Sequence, residues 1–292
     1  MAVGDTKELK ERIEGISSIE HLTRAMSLVS SAKLRTSKVR LEKTRRHFRI
    51  VTDSIEEIFH NTVQIESPYL EGTREIKKKG FIVISSSRGL CGAFNERVIE
   101  KAQRSIEDKE NSVIFAFGSK GAEFFKSQNY EMSAAYLGPP ENLSFLNAKM
   151  VCDPMIQMYN REELDELNLI YTAFKSSLKQ EPEVVRLLPF VSKKKKEDIP
   201  ERVQLVDYEP SEEAVFNYLV PKYVEIMLFK AITESVVSEN AARMMAMENA
   251  TDNAQEIIEE LTMSYNLARQ SAVTQEITEI IGGAAAVQNR AE

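Results

Sequence analysis

No stretch of the 292 residues is apolar over the roughly 18 positions needed to cross a bilayer, so a membrane-spanning helix is not expected. Met1 to Leu9 lacks the continuous apolar core of a signal peptide, which predicts a chain working at the cytoplasmic side. Cysteine is scarce. Cys91 and Cys152 stand far apart with no CxxC or Cys/His spacing, which favours neither a disulfide framework nor a zinc site and predicts two free thiols. The three histidines, His21, His47 and His60, are widely spaced and suggest no metal site. No GxGxxG follows a strand and no GxxxxGK[ST] occurs, so the recognisable phosphate-cradling loops are missing, and no Ser/His/Asp arrangement has local support. The expected chain is non-catalytic and binds no cofactor.

Proline and glycine are absent in an informative way. No proline precedes Pro68 or follows Pro221; Gly4 and Gly15 are the only early glycines, and none occurs between Pro221 and Gly282. Helix breakers are therefore confined to the middle, and each end predicts one long helix, the second starting at about Lys222. The series Val237, Ala241, Met244, Met247, Ala250, Ala254, Ile258, Leu261, Tyr265, Ala268, Ala272 covers 35 residues in ten steps. That period of 3.5 belongs to a left-handed coiled coil. A less regular partner seam is read at Leu9, Ile13, Ile16, Ile19, Met26 and Val29. Antiparallel pairing of the two helices makes facing residue numbers sum to about 275 at equal rise. The organisation expected is a helix over residues 1–66, an α/β domain over 67–210 and a helix over 211–292.

The middle carries apolar runs at Phe81–Ile84, Val113–Phe117 and Leu167–Phe174, with helical spacing over Asn95–Lys109, Ser119–Gln128 and Asn142–Arg161. These predict a Rossmann-like α/β domain of largely parallel strands in three layers, with Pro154 breaking or kinking its last helix. Gly118-Ser119-Lys120-Gly121 reads either as an anion site at a helix N-terminus or as a tight turn capped by Ser119. Lys193 to Lys196 reads as a solvated loop.

Charge is modest overall, with 38 Lys+Arg against 45 Asp+Glu and a net charge of −7, which opposes a surface devoted to nucleic acid. Locally it is uneven. Lys33, Arg35, Lys38, Arg40, Lys43, Arg45, Arg46 and Arg49 face one acid, Glu42, whereas Glu248 to Glu279 holds seven acids and one base. At a sum of 275 the two blocks do not meet, so the basic block is expected to need an acidic partner.

The run Val273-Thr274-Gln275-Glu276-Ile277-Thr278-Glu279-Ile280-Ile281-Gly282-Gly283-Ala284 resembles the signature of the gamma subunit of F-type ATP synthase. Further similar blocks are Ala241 to Met247 with Ala250 to Asn253, the loop Ser87 to Asn95, and Leu22 to Leu34. The resemblance runs through the chain in order, and the absence of a plastid-type cysteine insert makes it similar to bacterial members. It implies a central rotor shaft, turning inside a ring of alpha and beta subunits and standing with the epsilon subunit on the ring of c subunits, at the cytoplasmic face of the cell membrane. A coiled-coil tether or assembly scaffold is the alternative. The resemblance also implies beta-subunit contacts at Arg269 and Gln270, which act as a catch, at Arg88 and an exposed Cys91 in the Ser87–Asn95 loop, and at Lys33 and Arg35 in the basic block. Met26, Met244 and Leu261 are expected as seam residues. With Met1 opposite about residue 274, Val273 to Ala286 is expected as an unpaired helix inside an apolar sleeve.

Overall fold

The computed structural model describes residues 2–61, 66–72, 75–191 and 208–291; the Lys193–Lys196 run lies outside them. Two helices dominate, α1 over Ala2–Asn61 and α5 over Glu212–Ala291. Between them come β1 (Lys79–Ile84), α2 (Phe94–Ser105), β2 (Ser112–Phe117), α3 (Ser119–Ser127), β3 (Glu131–Tyr136), a single 3-10 turn at Pro140–Asn142, α4 (Phe145–Asn160), β4 (Glu166–Phe174) and β5 (Gln180–Leu188). The chain forms two compact units, one of residues 1–29 with 244–292, the other of residues 30–243.

The larger unit holds a five-stranded sheet in the order β3-β2-β1-β4-β5, parallel except for β5, which runs antiparallel to β4. Alternation assigns the two faces. Phe81, Val83, Ile114, Ala116 and Ile170 pack with Val98, Ala102, Ala122 and Phe125 of α2 and α3. Ile82, Ile84, Phe115, Phe117, Leu169 and Tyr171 pack with Cys152, Met155 and Tyr159 of α4, with Ile55 and Ile58 of α1, and with Phe216 to Ile232 of α5. Both faces are covered, as the near-continuous apolar strands require. The long helices thus supply part of one layer of the expected three.

Two proline expectations are corrected. Pro154 lies inside α4 without ending it, because its ring is on the exposed side and the carbonyl it leaves unpaired can face water. Pro221 likewise lies inside α5, which begins ten residues earlier than Lys222, at Glu212; the buried series Phe216, Val220, Tyr223, Val224 holds the first turns to the sheet.

In the smaller unit α1 and α5 pair antiparallel. The hydroxyls of Thr23 and Thr251 lie 2.7 Å apart, and their numbers sum to 274. Along α5 every position of the expected seam from Val237 to Ala272 is shielded. On α1 the expected seam is corrected: Ile19 and Val29 are 51% and 56% exposed. The shielded line is instead Leu9, Ile13, Ile16, Glu20, Thr23, Ser27, Ser30, Leu34, Ser37, Leu41, Thr44, Phe48, Val51, Ile55, Ile58. It covers 49 residues in fourteen steps, again 3.5 per step. Between Glu20 and Ser30 its members are polar, so apolar residues do not mark it there.

Candidate functional site

In parallel α/β sheets ligands enter the crevice beyond the carboxyl ends of the strands, where the strand order reverses. Here that point lies between β1 and β4. β4 pairs with β1 only as far as Ile170, leaving its last four residues without a β1 partner. α5 takes that place. Thr172 N donates to Ser235 Oγ (3.2 Å), Ser238 Oγ donates to Thr172 O (3.1 Å), and Phe174 N donates to Glu234 Oε1 (3.3 Å). Ser235 and Ser238 are buried, and Glu234 is also held by Arg45 Nη2 at 2.8 Å. Buried strand amides must find acceptors, and a helix side chain serves where the neighbouring strand has stopped.

The loop after β1 is tied down in the same region. Ser86 N donates to Asn95 Oδ1 (2.9 Å), Asn95 Nδ2 donates to Ser86 Oγ (2.8 Å), and Ser86 Oγ donates to Arg88 O (2.6 Å). The α3 N-terminus is occupied too: Gly121 N donates to Ser85 Oγ (2.8 Å) and Lys120 N to Ser86 O (3.1 Å). Those amides are the ones an anion would use. Gly118, not Ser119, is the N-cap; Ser119 Oγ donates to Ser87 O (3.1 Å). Gly118 has φ +89°, and a Cβ there would sit 2.3 Å from Ser85 O, so the turn requires glycine. The Gly118–Gly121 segment is therefore a close-packed turn.

Arg88 is exposed at the loop tip. Cys91 corrects its expectation of exposure: it is 2% exposed, with Asn95 Nδ2 3.2 Å from its sulfur. Burial pushes its thiol up, against weaker downward pulls from Ser86 and Arg243. Cys152, in the core against α5, is pushed up far more by burial. Left-handed backbone at Leu90 and Gly92 accompanies the turn that leaves Arg88 outward and Cys91 inward, a distinction that spacing alone does not reveal.

The basic block divides. Lys33 pairs with Glu141 (2.8 Å), Arg45 with Glu234 and Glu42, Arg40 donates to the carbonyls of Glu141 and Leu143, and Lys38 lies 5.0 Å from the Phe174 ring centroid. The expectation that the whole block seeks a partner is thereby corrected: half of it is used inside the chain, on the turn before α4, the end of β4, α1 itself and α5. Arg35, Lys43, Arg46 and Arg49 are exposed. Met244 and Leu261 are half-buried on the α5 seam, and Met26 is half-buried one position from the α1 line. Arg269 and Gln270 are exposed beside Ala268; past Ala272, Ile277, Ile280 and Ile281 are 52%, 71% and 64% exposed. Among the described residues no three His, Cys, Asp or Glu form a metal-binding group, and no helix is long and apolar enough to cross a membrane.

A family profile described as ATP synthase matches residues 5–287. The ATP synthase gamma chain of Alkaliphilus metalliredigens is 42% identical over 291 residues, covering 99% of this chain and all of that one. The chain belongs to the ATP synthase gamma-chain family. A gamma chain of Acetobacterium woodii named as sodium ion specific is 36% identical, over 97% of this chain and 99% of its own length. Among solved structures, a chain of the Euglena gracilis mitochondrial ATP synthase, in its OSCP/F1/c-ring assembly, shares the fold with a TM-score of 0.70 at 20% identity; the match covers 97% of this chain and 95% of that one. Membership in the gamma-chain family agrees with a sheet whose ligand crevice is filled by the chain's own helix: a gamma chain is a non-catalytic subunit.

Proposed function

We propose that this chain is the central rotor shaft of a rotary F-type ATP synthase, turning inside alternating alpha and beta subunits and resting with the epsilon subunit on the c-ring, at the cytoplasmic face of a bacterial membrane. Membership in the gamma-chain family over nearly the full chain carries this function, and the bonding of α5 to the end of β4 is consistent with it. A helix fixed in this way to an α/β domain suits the transfer of torque, which needs a stiff mount and no chemistry of its own. The division into helix 1–66, α/β domain 67–210 and helix 211–292 follows the same logic of shaft and base.

The site residues fall into three levels. Arg269 and Gln270, exposed on α5, form a catch for a beta-subunit loop, since a planar Arg fork suits a carboxylate better than Lys does. Arg88 presents a charge from the β1 loop, beside buried Cys91, and Arg35 with its exposed basic neighbours offers loose, screened attraction to acidic levers of beta subunits, worth about 0–1 kcal/mol each. Lys33 acts there only through the exposed part of its Glu141 ion pair. Met26, Met244 and Leu261 keep the helix pair together, and the exposed isoleucines beyond Ala272 suit an apolar sleeve. Affinity purification of the tagged chain from its own cells tests the reading. The expected result is co-purification with larger ATP-hydrolysing subunits; turnover of nucleotide by the isolated chain, or recovery without those subunits, contradicts it and favours an enzyme or a scaffold.

A further inference from the structure

Arg243 ends the stretch of α5 that belongs to the sheet-bearing unit, and its guanidinium lies between two kinds of acceptor. On one side the Glu239 carboxylate, one helical turn earlier, is 2.7 Å from Nη2. On the other, Nη2 donates to the carbonyls of Arg88 (3.4 Å) and Gly89 (3.3 Å), and Nε donates to Gly89 O (3.4 Å). The side chains of Arg243 and Glu239 are only 12% and 13% exposed, whereas the loop tip they meet is open to solvent. Burial pushes the Glu239 carboxyl up while Arg243 pulls it down, and the Lys33–Glu141 ion pair lies close enough to act on it as well.

That tip needs an external hold. Leu90 has φ +62° and Gly92 φ +56°, a region that a non-glycine residue enters at a cost. The bonds among Ser86, Asn95 and Arg88 O secure the base of the loop, but Gly89 and Leu90 lie beyond them. A planar guanidinium with several donors can bridge a carboxylate and two carbonyls at once; an ammonium on a flexible stem does so less well.

We propose that Arg243 is a positioning residue for the loop between β1 and α2: by bonding the Arg88 and Gly89 carbonyls to α5, it fixes the direction in which Arg88 and Leu90 are presented. The loop then turns with the helix instead of swinging about Gly89 and Gly92. The inference rests on the reading of this loop as a partner contact, and deepens it by naming the residue that sets its shape.

Cys91 is a built-in reporter, sealed under the loop, and Cys152 in the core monitors opening of the whole unit. In the full-length chain, labelling by a small thiol reagent is followed at both cysteines for the wild type, Arg243→Ala, Arg243→Lys and Glu239→Gln, with amide exchange over residues 88–92. Arg243→Ala is expected to label Cys91 about tenfold faster with Cys152 unchanged, Arg243→Lys and Glu239→Gln falling between, as loss of a charge-assisted bond predicts. An unchanged Cys91 rate in Arg243→Ala overturns the proposal; so does a parallel rise at both cysteines that persists in Arg243→Lys. Coupled ATP synthesis by complexes assembled with the same variants separates this from the reading beneath it. A loosened loop with unimpaired coupling leaves the latch standing and removes the loop from the partner contacts, whereas impaired coupling with an unloosened loop overturns the latch alone.

Discussion

Gly118 carries the tightest local requirement in the sheet-bearing unit. Its φ is positive, and any Cβ at this position would lie 2.3 Å from Ser85 O, which leaves no room for a side chain. Gly118→Ala is expected to lower stability by at least about 2 kcal/mol in urea unfolding, through backbone strain and displacement of Ser85 together. The two thiols give a second test at this scale. Burial raises both, so at a given pH the thiolate fraction is below that of a free cysteine, and labelling falls accordingly. At pH 8 both are expected to react at least about tenfold slower in the folded chain than in urea. A fast native reaction at Cys91 would contradict its burial. The sequence placed Cys91 in a loop correctly but could not place its side chain, because which way a loop residue turns depends on Ser86 and Asn95 across the turn.

Elements were legible to the degree that burial is written in apolar residues. β1, β2 and β4 are buried almost throughout and read as apolar runs. β3 and β5 are the sheet edges: Glu131–Tyr136 is largely exposed, and in Gln180–Leu188 the apolar Val184, Val185, Leu187 and Leu188 are interrupted by charges and Pro182, so neither reads as a continuous apolar run. The α5 seam is lined throughout by Ala, Met and larger apolar residues and was legible at every step. The α1 seam was not, because Glu20, Thr23, Ser27 and Ser30 occupy its shielded positions while apolar Ile19, Leu22 and Val29 lie outside it. Thr23 and Thr251 form its polar layer; each hydroxyl also has a carbonyl one turn back, Glu20 O and Met247 O. A double-mutant cycle with Thr23→Val and Thr251→Val is therefore expected to show a coupling of about 0.5–1.5 kcal/mol, with modest single effects. Zero coupling would remove this pair from the determinants of helix register.

At the scale of the whole molecule, the two helices and the α/β domain read from the sequence are the ones present, and family membership agrees with them. What sequence reading missed is that α5 fills the crevice of the domain, a fact that depends on β4 outrunning β1 and so on pairing between distant strands. If the chain is a shaft fixed in this way, its partner contacts differ in kind: Arg269 offers a directed fork, whereas Arg35, Lys43, Arg46 and Arg49 offer screened charges that can be exchanged during a turn. The most direct measurement is coupled ATP synthesis by assembled complexes carrying Arg269→Ala beside each single Ala substitution at those four basic residues. A loss of about tenfold or more is expected for Arg269→Ala and less than about twofold for each of the others; equal, mild losses at all five positions would rule out this division of contacts.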